Sequence, residues 1–307
     1  MLRKFLKSPP PEPVEPLDAA TVIIVRENPG RPFEVLLMRR NARQNFMGGA
    51  FVFPGGRLDD ADTAEDLLPC LDATPPGVNV LLQEPSLPVA RARGLFVAAV
   101  RETFEESGIL LANARNGLPL DSSSPASLRR AACRGGLRNH SLSLADIARY
   151  EKLHYAIDRL VPFSRWITPA VEPRRFDTRF FLTRLPVGQT ALQDHAEMTE
   201  CQWLTPAEAL SLHGEGMIVL MPPTLRTVEE LAAFTTAGAV FSAASHRRIE
   251  PILPEGFVEG EIYGVLLPND PKYSLSGRRP SAAPGTVSRI VMEDGIWKSR
   301  PAPGDTQ

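Results

Sequence analysis

Arg101-Glu102-Thr103-Phe104-Glu105-Glu106-Ser107-Gly108-Ile109 is the stretch of this 307-residue chain that decides its fold. Upstream, Ser86 and Pro88 form a cap and first-turn pair, and Gly108 supplies a stop, so the spacing predicts a helix of about five turns. With Glu102 at zero on a wheel of ~100° per residue, Glu105 falls near about −60°, Glu106 near about +40° and Arg101 near about −100°. Phe96, Val97, Val100 and Phe104 occupy the opposite arc, between about 120° and 220°. Three carboxylates crowded on one arc repel one another unless something positive sits among them. Mg²⁺ or Mn²⁺ would answer that need, since both prefer oxygen ligands and keep several waters. A solvated acidic helix face is the competing reading of the same three glutamates.

Outward from this helix the chain alternates strand and helix signals. Thr21 to Arg26 and Phe33 to Arg39 are β-branched-rich runs joined by Asn28-Pro29-Gly30, and Phe51 to Phe53 is a third short strand stopped by Pro54-Gly55-Gly56. Residues 59–85 are rich in Pro, Asp and Leu without periodicity and are read as an inserted loop with one short helix at most; its length argues for function or mobility. Asn113 to Asn139 is polar and loop-like. Leu142 to Leu153 has helical spacing, with Ser143 three residues before Asp146. Val161 to Thr168, Phe176 to Leu185 and Met198 to Leu204 are further strands. Thr205-Pro206-Ala207-Glu208 is a capping box that opens a helix ended by Gly214, and Thr227 and Glu230 mark another through Phe234. Residues 1–17 form a Pro-rich tail. The main domain is expected over 18–248 and a β-rich extension over 249–307, with Glu261 to Leu267, Val287 to Met292 and Ile296 to Lys298 as strands and Asp294-Gly295 as a hairpin turn.

Composition narrows the function class. Apolar residues at 43% and charged residues at 23% are ordinary for a globular domain, and no apolar run is long enough to span a bilayer. A net charge of −2 gives no basic field for nucleic acid. Cys70, Cys133 and Cys201 are scattered, so neither a disulfide framework nor a zinc site is indicated. A cytoplasmic protein without membrane or nucleic-acid partners is the expectation, with homodimerisation the prior for assembly.

Behind Phe-Pro-Gly-Gly, the run from Arg101 to Ile109 resembles the second half of the Nudix box: Gly, five residues, Glu, seven residues, then Arg-Glu-apolar-any-Glu-Glu-any-Gly-apolar. Thr103 stands at an apolar position of that pattern, and Asp62 takes the place of the first glutamate. Gly56 and Arg101 are 45 positions apart, so an insertion of 31 residues splits the box. A split box resembles the peroxisomal coenzyme A diphosphatases and their bacterial relatives. Leu36-Leu37-Met38-Arg39-Arg40, Trp166-Ile167-Thr168-Pro169 and Arg174-Arg175-Phe176-Asp177-Thr178-Arg179-Phe180-Phe181 look like the same branch. A second coenzyme A signature of other family members, Leu-Leu-Thr with a Ser/Ala pair, has no counterpart here.

The resemblance implies an α/β fold, a Nudix α/β/α sandwich with a mixed sheet. It implies metal-dependent cleavage of a phosphoanhydride in a nucleoside-diphosphate-linked small molecule. Glu102, Glu105 and Glu106 would bind the metal with the Gly55 carbonyl. Arg101 sits beside them on the wheel as the partner that orients them, and Asp62 is expected to be structural and tolerated as the shorter acid. Glu197, before the Trp203 strand, is the candidate general base, with Asp194 and Glu200 as alternatives and His195 as a site neighbour. Arg101, Glu102 and Glu197 are therefore the catalytic candidates. Arg40, Arg174, Arg175 and Arg179 are the substrate candidates, because guanidinium groups suit phosphates. Strand alternation sets Arg175, Asp177 and Arg179 on one face, where a structural ion pair with Asp177 competes with substrate binding. ADP-ribose, NADH, dinucleotide and capped-RNA substrates, and a non-catalytic nucleotide sensor, remain as alternatives to coenzyme A or acyl-coenzyme A.

Overall fold

The first strand, β1 (Leu17–Arg26), carries the consecutive apolar run Val22 to Val25 because that stretch is buried on both sides. Its alternate residues feed opposite layers: Ala20, Val22 and Ile24 enter one hydrophobic core, Ile23 and Val25 the other. A computed structural model describes residues 6, 12–43, 47–72, 77–120, 126–193, 197–280, 283 and 285–303. The remaining strands are β2 (Glu34–Arg40), β3 (Phe51–Val52), β4 (Gly55–Arg57), β5 (Ala112–Ala114), β6 (Leu153–Tyr155), β7 (Val161–Ile167), β8 (Phe176–Arg184), β9 (Met198–Leu204), β10 (Pro251–Ile252), β11 (Glu255–Glu259), β12 (Ile262–Leu266), β13 (Val287–Glu293) and β14 (Ile296–Pro301). The helices are α1 (Val78–Leu81), α2 (Val89–Ser107), α3 (Ala126–Arg138), α4 (Leu144–Glu151), α5 (Pro206–Gly214), α6 (Pro222–Ala232) and α7 (Ala237–His246).

The main sheet runs β10-β7-β8-β1-β2-β3, with β4 also paired to β1 and β9 to β2. β1 lies parallel to β8 and antiparallel to β2, which makes the sheet mixed. On one side sit α2, α3 and α4, with the Phe96 and Phe181 rings 4.7 Å apart between helix and sheet. On the other side α5, α6 and α7 share a core with Val265, Ile290 and Trp297 of a second, four-stranded sheet, β11-β12-β13-β14. The sandwich and the C-terminal β-sheet are those expected. Asp294 and Gly295 both have positive φ (53° and 81°), the geometry of the tight hairpin turn between β13 and β14.

Several expectations are corrected. The long helix begins at Val89 with Pro88 as its N-cap residue, and Ser86 caps nothing. Segment 59–85 is not a loose loop: it forms short 3-10 turns and α1, and buries Leu67, Cys70, Leu71, Val78 and Leu82 against the core under α2. Within the polar stretch 113–139 lies α3, whose Gly135-Gly136 pair opposes helix on propensity but whose Cys133 and Leu137 are buried. The helix expected from Thr227 starts five residues earlier, on Pro222, and α7, capped by Thr236, was not foreseen. Most of the 1–17 tail lies outside the described residues. Among the described residues no helix is long and apolar enough to cross a membrane.

Candidate active site

The helix α2 delivers its carboxylates at its last two turns, and both its end and its flank are held by arginines. Gly108 closes the helix with φ 72°, a left-handed conformation that a Cβ would strain, and its N–H donates to the Phe104 carbonyl. From α3, Arg134 donates through Nε to the Glu105 carbonyl (2.8 Å) and through Nη2 to that of Glu106 (2.5 Å). A cation at a helix C-terminus satisfies orphan carbonyls and opposes the macrodipole. Arg134 escaped the sequence reading because α3 itself did.

Arg101 is buried, and its fork is fully used. Nε and Nη2 each donate to Asp62 at 2.8 Å, Nη2 also to the Arg57 carbonyl at 2.8 Å, and Nη1 to Glu102 (2.8 Å) and Glu105 (3.4 Å). Burial alone would lower its pKa, but the bonds to Asp62 and the charges of Glu102, Asp62 and Glu105 hold it above its ordinary value. Asp62, buried in the first short turn of the insertion, thus supplies the counter-charge across the split box, and its Oδ2 also accepts from the Asp59 N–H (2.9 Å). Arg101 thus joins Asp62 of the insertion to Glu102 and Glu105 of the helix, and Asp62 is its buried ion-pair partner.

Burial first, then mutual repulsion, pushes the carboxyls up. Glu102 reaches about 7, with Arg101 opposing the shift and Glu105 adding to it. Glu106 lies well above its ordinary value through burial and then Glu102, despite accepting the Gly55 N–H at 2.9 Å. Glu105 is raised by burial, with Arg101 acting against it. The Gly55-Gly56 pair is pressed between β1 and α2: a Cβ on Gly55 would overlap the β1 backbone, and one on Gly56 would land on the Glu102 carboxylate. Glycine is required at Gly55, where a Cβ would meet backbone, while at Gly56 a Cβ would displace the Glu102 carboxylate.

In this conformation no three acidic, thiol or imidazole side chains among the described residues converge on one point. Arg101 draws Glu102 and Glu105 toward itself while Glu106 turns to Gly55. The donor set nonetheless fits a hard divalent cation: oxygen ligands only, buried, and carrying more negative charge than the fold neutralises. The charge of Glu197 adds to the upward shifts of Glu105 and Glu106, and its carbonyl accepts from the Asn41 N–H at 2.8 Å. Glu200 lies on β9 and pairs loosely with Arg39 (3.7 Å). Asp194 and His195 lie outside the described residues.

Across Gly55 and Gly56 a cavity of about 230 Å³ opens on the opposite side of the sheet. It is lined by β1, β7 and β8, by Arg40 and Arg174, by Met221 to Thr224 at the start of α6, and by Pro254, Val265 and Trp297 of the C-terminal sheet. Arg40 reaches it with a buried Nε that has no hydrogen-bond partner, and its charge also eases the ionisation of Glu106. Arg174 stands at this cavity with its guanidinium 5.2 Å from the Phe176 ring. Arg175 and Arg179 do not. Arg175 donates to the carbonyls of Thr168 (3.0 Å) and Val14 (2.6 Å), and Arg179 pairs with Glu84 (2.6 Å), Asp18 and Asp177 on the other face of β8. Both are consumed by structure, because the alternation that turns Phe176, Thr178 and Phe180 into the cavity turns them away. Trp297 and the C-terminal wall were missed; nothing local in the sequence joins residue 297 to residue 55.

The family model for the NUDT19 Nudix domain matches residues 17–231. The chain is 30% identical to the acyl-coenzyme A diphosphatase NUDT19 of Homo sapiens over 81% of this chain and 74% of that one. It is 29% identical to the Gallus gallus protein of the same name over 91% and 87%. Among solved structures, a Nudix hydrolase from Alicyclobacillus acidocaldarius superposes with a TM-score of 0.58 at 27% identity, covering 78% of this chain and 99% of that one. With the box carboxylates, the split that Asp62 bridges and the mixed-sheet sandwich in place, the chain belongs to the Nudix hydrolase family, in its NUDT19 branch, and is a Nudix pyrophosphohydrolase.

Proposed function

We propose that the chain hydrolyses the diphosphate of coenzyme A or an acyl-coenzyme A, giving 3′,5′-ADP and (acyl-)phosphopantetheine, with Mg²⁺ or Mn²⁺ held at α2. The carrying observation is that the carboxylate cluster and the cavity meet at Gly55-Gly56, so a diphosphate can lie on the carboxylate side while part of the molecule enters the cavity. The names of the NUDT19 relatives supply the substrate class.

Glu102, Glu105 and Glu106, with the Gly55 carbonyl, would hold the cation. Bound there, a divalent cation polarises phosphoryl oxygens, lowers the pKa of water and neutralises charge on the leaving phosphate. Glu197 accepts the proton of the attacking water, whose oxygen bonds to phosphorus as the bridging P–O bond breaks. Arg101 keeps Glu102 and Glu105 in register. Arg40, whose Nε is unpartnered, and Arg174 bind phosphate oxygens.

Incubating the protein with coenzyme A, acetyl-coenzyme A, ADP-ribose, NADH and diadenosine polyphosphates, with Mg²⁺ or Mn²⁺, tests the assignment. Release of 3′,5′-ADP at the highest kcat/KM from the coenzyme A pair is the expected result. A stronger preference for another member overturns the substrate, and turnover of none overturns the reaction.

A further inference from the structure

The insertion that splits the box is tied to the site at both of its ends. Near its start, Asp62 holds Arg101 beside the carboxylates. Near its end, Val78 and Leu82 are buried in the core under α2, and the chain turns back after α1. There the Gln83 N–H donates to the Val80 carbonyl at 2.9 Å and the Glu84 N–H to that of Asn79 at 2.8 Å. Gln83 makes this turn with φ 59°, a left-handed conformation that a Cβ disfavours. A side chain kept where glycine would fit more easily points to a use for that side chain.

The Gln83 carboxamide donates through Nε2 to the Arg247 carbonyl and accepts the Ile249 N–H on Oε1, both at 2.9 Å. It thus bonds the backbone that leads from α7 into β10, as a neighbouring strand would. Beside it, Glu84 pairs with Arg165 of β7 (2.7 Å) and Arg179 of β8 (2.6 Å). β10 pairs with β7 at Arg165 and Trp166, so two consecutive residues of the insertion grip both sides of the junction where the C-terminal segment joins the main sheet. Just beyond β10, Pro254 lines the cavity, together with Val265 and Trp297 of the sheet that follows. Gln83 is exposed, so its two bonds contribute little to global stability, because water can replace them. They can still fix the direction in which a two-residue strand enters the sheet.

We propose that Gln83 is a positioning residue that sets the C-terminal wall of the cavity, so that the insertion aligns both halves of the site: the carboxylate cluster through Asp62 and the cavity wall through Gln83. The inference rests on the reading of that cavity as part of the substrate site. His213 holds the same wall at its other end, through the Trp297 carbonyl. The carboxylates are held without Gln83, so its loss acts on substrate binding and leaves turnover in place.

The test is Gln83→Gly in the full chain. This substitution removes both bonds and relieves the left-handed backbone, so the variant folds with a Tm close to wild type. Amide hydrogen exchange, read by mass spectrometry, should be at least about tenfold faster over residues 249–267 and unchanged over α2. With saturating Mn²⁺, the KM for coenzyme A should rise at least about fivefold while kcat stays within about twofold of wild type. Wild-type exchange over residues 249–267 overturns the clasp, and faster exchange with a wild-type KM overturns its hold on the substrate. Tm and kcat falling together also overturn the proposal, because they would make Gln83 a merely structural contact. If wild type hydrolyses no coenzyme A-type compound, the proposed reaction fails, and the exchange measurement alone still decides whether the insertion holds the wall.

Discussion

The two sides of Gly55-Gly56 are built on opposite principles. On the α2 side, acids and arginines are buried together, and the fold holds carboxyl groups above their ordinary pKa. On the other side, apolar walls from β7, β8, α6 and the C-terminal sheet surround few charges. The first side is an electrostatic device whose conformation depends on counter-charge. The second is a packing device that depends on distant segments staying docked, so perturbations that damage one should leave a different signature on the other.

The largest effect is expected at Arg101. Arg101→Ala strips Asp62, Glu102 and Glu105 of their shared partner and leaves buried acids uncompensated, a loss of about 3–5 kcal/mol of stability by denaturant unfolding. Arg101→Lys should recover little of it, since one ammonium cannot reproduce the fork that spans Asp62 and Glu102. A variant as stable as wild type would remove Arg101 from the account.

A pH effect follows from the raised carboxyls. Between the ordinary glutamate range and about pH 7, folded Glu102 binds more protons than the unfolded chain does, so metal-free stability falls as pH rises through that window. Asp146, Glu208, Asp270 and Glu293 are held below their ordinary values and lose their contribution only below about pH 4, which keeps the two windows apart. Added Mg²⁺ or Mn²⁺ favours the ionised acids, so the gain in Tm on metal addition should be larger at pH 8 than at pH 5. A metal-free Tm that climbs from pH 5 to pH 7 would contradict this.

His213 tests the packing side. Its Nδ1 accepts the Leu220 N–H (3.2 Å), which leaves the proton on Nε2 for the Trp297 carbonyl (2.8 Å), so one buried ring ties α5 to the wall of the cavity. His213→Ala should cost about 2–3 kcal/mol and raise KM more than it lowers kcat. A selective fall in kcat would place Trp297 nearer the chemistry than the cavity wall. The smallest effect is at Thr103, buried with an unpartnered Oγ1 at the apolar position of the box. Thr103→Val should stabilise by about 1 kcal/mol without loss of turnover, read from the unfolding midpoint.

The same contrast explains what the sequence made legible. The acidic arc of Glu102, Glu105 and Glu106 and the apolar arc around Phe96, Val100 and Phe104 follow from helix periodicity within a few turns, and the structure reproduces both. Asp62 was found because a family spacing pointed to it, although its contact with Arg101 spans 39 residues of chain. Strand alternation already sets Arg175 and Arg179 on one face with Asp177, but only tertiary placement shows that this face is the structural one, where Glu84 of the insertion pairs with Arg179 while Arg174 stands at the cavity. Trp297 and His213 carry no local signal, because their roles arise where the C-terminal sheet docks on α5 and α6. α3 was hidden by a glycine pair whose propensity the packing of Leu137 overrides.

The central claim is that buried carboxylates on α2 carry the hydrolysis, and Glu106 is the one turned to Gly55 while Arg101 bonds Glu102 and Glu105. The direct measurement is kcat/KM for acetyl-coenzyme A with saturating Mn²⁺, wild type against Glu106→Gln, with metal-free Tm recorded on the same samples. The account predicts a fall of about 10³-fold in activity with Tm unchanged or higher, since the substitution removes a repulsive charge while keeping the shape. A variant that turns over like wild type would contradict it.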